Sequence, residues 1–100
     1  MQQEPIAILG AIGGHFRRIG AARTLLDYGK TAYDLQKMYA IQDFAARKVM
    51  DAARRFSPAF CKKASQLILE TDYRMKTSFD DSERLLEMLI LQLAQEARNG

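Results

Sequence analysis

The 100-residue chain has one cysteine, one histidine, two prolines and no tryptophan. A lone Cys61 excludes an internal disulfide and fits a reducing compartment, where it reads as a small buried hydrophobe on a helix. A lone His15 cannot build the usual zinc site, and no serine and aspartate are spaced with it for a nucleophilic triad. The apolar stretch Ile6 to Gly14 is about half of the roughly 20 residues that cross a bilayer. Its charges, Arg17 and Arg18, follow it, whereas a secretory signal carries them in front. No membrane span, metal site, cofactor site or catalytic group is therefore expected, and the chain reads as soluble and cytoplasmic.

What is present is hydrophobic patterning with a helical period. Hydrophobic residues make up 48% of the chain, enough for one modest core in one domain. No stretch alternates in the manner of a strand, and no internal repeat appears. The reading is an all-α compact bundle of about five helices spanning residues 1–100.

The first helix is expected from about Pro5 to Leu26 or Asp27, stopped near Gly29. Steps of 100° put Leu9, Ile12, Phe16, Ile19 and Leu26 in one stripe that faces the core. The far side carries Gly10, Gly13, Gly14 and Gly20. Each glycine inside a helix costs about 1 kcal/mol relative to alanine. Either a close-packed neighbour offsets that cost, with Gly10 and Gly13 in a partner interface, or the helix frays at its start.

Thr31 can cap a short helix over Ala32 to Tyr39, with Asp34 favourable at its third position. Ile41 and Gln42 turn the chain, and Asp43 is expected to cap a third helix. That helix places Ala45, Val49, Ala52, Ala53 and Phe56 on one side. Arg47, Lys48, Asp51, Arg54 and Arg55 lie on the other. Phe44 falls among the charged residues, where it either tucks back under the second helix at the turn or serves as a contact anchor.

Ser57 and Pro58 form a cap and first-turn proline for a fourth helix to about Lys76, burying Phe60, Ala64, Leu67, Ile68 and Met75. Asp72 and Lys76 are spaced for an exposed ion pair. Asp81 is expected to cap a fifth helix, Ser82 to about Ala97. Its segment LLEMLILQL is apolar on most sides, so this helix is either central or partly exposed and adhesive. Leu86, Leu89, Ile90 and Leu93 are its expected partner-facing residues.

Charge is uneven along the chain. Phe44 to Lys63 carries six cations against one acid, whereas Glu70 to Gly100 carries seven acids against four cations. Such polarity suits nucleic acid, an acidic protein surface or neighbouring subunits that attract one another. The cluster GAIGG lacks the Lys-Ser/Thr ending of a phosphate loop and no strand precedes it. The second and third helices also allow a helix-turn-helix reading, with Arg47, Lys48, Arg54 and Arg55 as nucleic-acid or rim contacts. Against that, Asp43 would repel phosphates at the start of the recognition helix, and Gln42 is the one residue there suited to base readout.

Several segments together carry a likeness. HFRR (His15 to Arg18), Gly29-Lys30, AIQDFAARK, ARRFS (Ala53 to Ser57) and LILETDYRMKT resemble the C-terminal domain of the delta subunit of bacterial DNA polymerase III, over nearly the whole chain. The densest part of the match is Ile41, Phe44, Ala46, Arg47 and Lys48 followed by ARRFS. Departures fall at Ala40, where glycine is usual, at Asp43, where proline is usual, and at Tyr73, Arg74 and Met75. The resemblance implies a non-catalytic collar domain in a pentameric clamp loader, a fragment of a longer bacterial protein. Its partners would be the gamma/tau and delta prime subunits, and the sliding clamp would be reached only through an N-terminal region outside this chain.

Overall fold

The structure, a computed structural model, describes residues 3–99. Five helices follow one another: α1 (Gln3–Asp27), α2 (Ala32–Tyr39), α3 (Asp43–Arg54), α4 (Pro58–Thr77) and α5 (Ser82–Asn99). No strand occurs among the described residues. The fold is all α, as the hydrophobic period implies.

Local signals account for the boundaries. Gly29 is left-handed (φ +70°), and the Lys30 and Gly29 amides donate back to the Leu25 and Leu26 carbonyls at 2.8 and 3.0 Å, which closes α1 in a Schellman turn. The Thr31 amide donates to Asp34 Oδ2 at 3.0 Å at the start of α2. That hydrogen bond is the largest cause holding the Asp34 carboxyl below its ordinary pKa. Ser57 Oγ accepts from the Phe60 amide at 3.0 Å with Pro58 in the first turn of α4. Asp81 Oδ1 accepts from the Glu83 amide at 3.1 Å and so caps α5.

The turn between α2 and α3 departs from expectation in one respect. Gln42, not Asp43, occupies the cap position of α3 and makes no side-chain cap bond. Asp43 is the first helical residue and pairs with Arg47 at 2.9 Å. Ala40, which ends α2, is left-handed at φ 52°, ψ 41°. A side chain in that conformation costs roughly 1–2 kcal/mol that glycine avoids. Ala40→Gly should therefore raise stability to urea by about 1 kcal/mol, read as a higher midpoint at unchanged slope.

Packing centres on α1, which contacts all four other helices. Its first half supplies Leu9 to a cluster with Phe60, Ala64 and Leu67 of α4 and Leu86, Leu89 and Leu93 of α5. Its second half supplies Ile19 and Ala22 to a cluster with Leu35 of α2 and Ala46, Met50 and Ala53 of α3. Phe16 and Phe56 touch both clusters. The Phe56 ring stacks on Phe60 with centroids 4.5 Å apart, an aromatic weld between the two halves.

The buried side of α3 is rotated from the predicted one. Ala46 and Met50 are fully buried with Ala53, while Ala45, Val49, Ala52 and Phe56 are half-buried. The apolar arc of α3 spans both sets. Contact with α1 as well as α2 brings the Met50 side inward.

Candidate assembly surface

The molecule measures 44 × 29 × 18 Å. Its thinnest dimension is less than two helix diameters of about 10–12 Å. A body this thin is about two helix layers deep, and each helix keeps exposed residues on its outer side.

This geometry divides α5 into two rows. Leu86, Leu89 and Leu93 pack against α4 and α1, with Leu89 at 0% exposure, and Leu85 is buried beside them. Leu86, Leu89 and Leu93, expected at a partner interface, are thus core residues of this chain. Their spacing of three and four residues is what aligns them with the neighbouring helices. Ile90 keeps its expected outward place at 48% exposure, joined by Met88 at 41% and Leu91 at 70%. At 100° per residue Leu91 faces directly away from the buried side and Met88 and Ile90 lie on its two flanks, so the outer row is an exposed apolar arc of these three residues.

A second uncovered apolar surface lies between α1 and α4. It is a groove of about 430 Å³ with Ile6, Gly10 and Gly13 on the α1 side and Ile68 and Leu69 on the α4 side. Gly10 is open: a Cβ there would meet nothing within 4 Å. Gly13 is buried, and a Cβ there would lie 3.6 Å from Ile68 Cγ2 and 3.5 Å from Arg17 Nη1. The two glycines therefore serve different ends. Gly13 lies against α4 and the Arg17 guanidinium, where a Cβ would make ordinary van der Waals contacts, while Gly10 leaves space. One rim of the groove carries the Asp72–Lys76 ion pair at 3.0 Å.

The basic side of α3 is less free than its sequence suggests. Arg47 is held by Asp43 and Arg54 by Asp51, each an exposed pair of small energetic weight. Arg55 and Lys48 form no ion pair among the described residues, and Lys48 Nζ sits 4.7 Å from the Phe44 ring centroid. Phe44 is 68% exposed. It does not tuck under α2, because it projects from the side of α3 opposite Ala46 and Met50. His15 is exposed and meets Phe16 edge-on at 5.9 Å. Cys61 is half-buried, and desolvation raises its thiol pKa.

Arg23 was not anticipated. Its Nη1 donates to the Ala53 carbonyl at 3.2 Å and the Phe56 carbonyl at 3.4 Å, at the C-terminal end of α3, and its Nη2 pairs with Asp27 at 2.8 Å. A cation on helix-end carbonyls adds a donor to the Ala53 carbonyl, which also accepts the Phe56 amide, and complements the helix dipole. The partners lie 30 and more residues away, so no local pattern marks it. A hint is a charged residue next to Ala22 on the buried side of α1.

These features define an all-α, five-helix domain that leaves two separate apolar surfaces uncovered. The family described as DNA polymerase III delta subunit, C-terminal domain, matches residues 1–93, and the chain belongs to that family. It is 31% identical to the DNA polymerase III subunit delta of Bacillus subtilis over 91 residues. The match covers 91% of this chain and 26% of that protein, so the chain spans about a quarter of its relative's length. No solved structure matches it. Among the described residues no helix is long and apolar enough to cross a membrane.

Proposed function

We propose that the chain is a single non-catalytic collar domain. In this reading it holds the delta subunit in the pentameric clamp loader of DNA polymerase III, in the bacterial cytoplasm, beside the gamma/tau and delta prime subunits. Clamp contact falls to parts of the subunit outside this chain. The observation that carries the reading is the pair of uncovered apolar surfaces, the α1–α4 groove and the outer row of α5. A ring built from head-to-tail contacts asks each subunit for two different complementary faces. A closed two-fold dimer would need one.

Co-purification of delta with the gamma/tau and delta prime subunits tests this, with one substitution per surface. Gly10→Trp fills the groove, and Leu91→Glu places a charge on the outer row. Both positions are exposed, so folding should survive with stability changed little. Each variant should lose association with one neighbour by at least about tenfold, the scale of burying an unpaired charge or a clash in an interface. Assembly unchanged in both would refute the reading.

A further inference from the structure

We propose that the domain is two rigid halves joined by a hinge, about which the α2–α3 half turns against the α4–α5 half. The hinge is a property of the free chain and holds whether or not other subunits cover the apolar surfaces.

Packing divides the molecule. Among the described residues, neither α2 nor α3 packs on α4 or α5. One half is the front of α1 with α4 and α5, and the other is the back of α1 with α2 and α3. A narrow seam separates them. Phe16 and Phe56 touch both clusters, and Cys61 is the one α4 residue that packs against the second among the described residues. Each half keeps a buried core of its own, so a rotation between them opens neither.

The chain crosses the seam at two places, the middle of α1 and the turn from α3 to α4 at residues 55–57. Phe16, two residues past Gly14, lies with its ring centroid 6.0 Å from that of Phe60, which stacks in turn on Phe56. The two crossings are therefore side by side, and the three rings mark the line that joins them. Rotation about that line stretches neither crossing and keeps the rings in contact, because atoms close to an axis move least. The second crossing belongs to no helix, the kind of short segment that absorbs backbone rotation in hinged proteins.

The first crossing carries Gly13 and Gly14, the adjacent glycines of α1. A helix interior disfavours glycine relative to alanine, and here no contact demands it. A Cβ would meet nothing closer than 3.5 Å at Gly13 or 3.6 Å at Gly14, ordinary van der Waals contact, and neither residue has a positive φ. What alanine would take away is bending freedom. Pairs of glycine or serine are among the few places where helices kink sharply.

Double electron–electron resonance on the free chain tests the proposal, with Cys61→Ser so that introduced thiols alone carry spin labels. Lys37→Cys on α2 with Arg84→Cys on α5 reads across the seam, and Lys62→Cys on α4 with Arg84→Cys reads within one half. All three positions are exposed. The distance distribution across the seam should be at least about twice as wide as that within the half. Gly13→Ala combined with Gly14→Ala should narrow the first by about half and leave the second unchanged. Gly20→Ala supports the same helix at an open site away from the hinge, and should leave both widths unaltered. Equal widths for the two label pairs would overturn the proposal. So would a double alanine variant that narrows nothing, or narrowing by Gly20→Ala as large as that by the pair.

Discussion

Leu89→Ala should cost about 3 kcal/mol of folding stability, while Leu91→Ala, two residues on, should change it by no more than about 0.5 kcal/mol. Leu89 is fully enclosed by Leu9 of α1, by Phe60, Ala64 and Leu67 of α4 and by its own helix neighbours. Truncation there removes buried methyl groups and leaves a cavity that three helices line, so the cost exceeds simple transfer. A domain of this size has a total stability of only about 5–15 kcal/mol, and the loss is a large part of it. Leu91 is 70% exposed and makes no comparable contacts. Urea melts of both variants check the contrast. Equal effects would mean that α5 is not seated as described. A charge at the enclosed Leu89 should unfold the chain, so assembly is tested at the exposed Leu91 instead.

Arg23→Met should destabilise the chain by about 2 kcal/mol, the scale of hydrogen bonds from a charged donor. Methionine keeps much of the side chain's apolar length, so packing of α1 on α3 changes little. What disappears is the donor shared by the Ala53 and Phe56 carbonyls, at the point where α3 ends and the chain turns into α4. Those carbonyls lose a partner that water can only partly replace, because Arg23 itself is only 20% exposed. Against this stands the relief of its buried Nε, which has no hydrogen-bond partner, so the loss stays below the upper end of the range. Arg23→Lys should recover little, since an ammonium lacks the planar fork that reaches two acceptors. Thermal unfolding of the two variants checks both points.

Most of the fold could be read locally because its signals are local. Gly29, Thr31, the Ser57-Pro58 pair and Asp81 each end or start a helix by a hydrogen bond or a backbone preference within a few residues. The Asp72–Lys76 pair lies within one turn. α5 was ambiguous for a physical reason: a hydrophobic period locates a buried face only when the opposite face is polar, and Met88, Ile90 and Leu91 fill that opposite face. The same property that hid the core row created the surface. Phe44 misled in another way, since a large aromatic ring suggests burial while its position on α3 points outward. Arg23 and the groove depend on α3 and α4 meeting α1, contacts that cross tens of residues. Gly10 and Gly13, alike in sequence, differ because Ile68 lies beside one and not the other.

The central claim is that other chains cover the α1–α4 groove and the outer row of α5. Hydrogen–deuterium exchange compares the same amides in the free chain and in the proposed assembly of delta with clamp-loader neighbours. The account predicts slower exchange in the assembly at residues 6–14 of α1 and 88–92 of α5, with residues 44–55 of α3 nearly unchanged. Protection confined to α3, with both apolar surfaces exchanging as in the free chain, would contradict it.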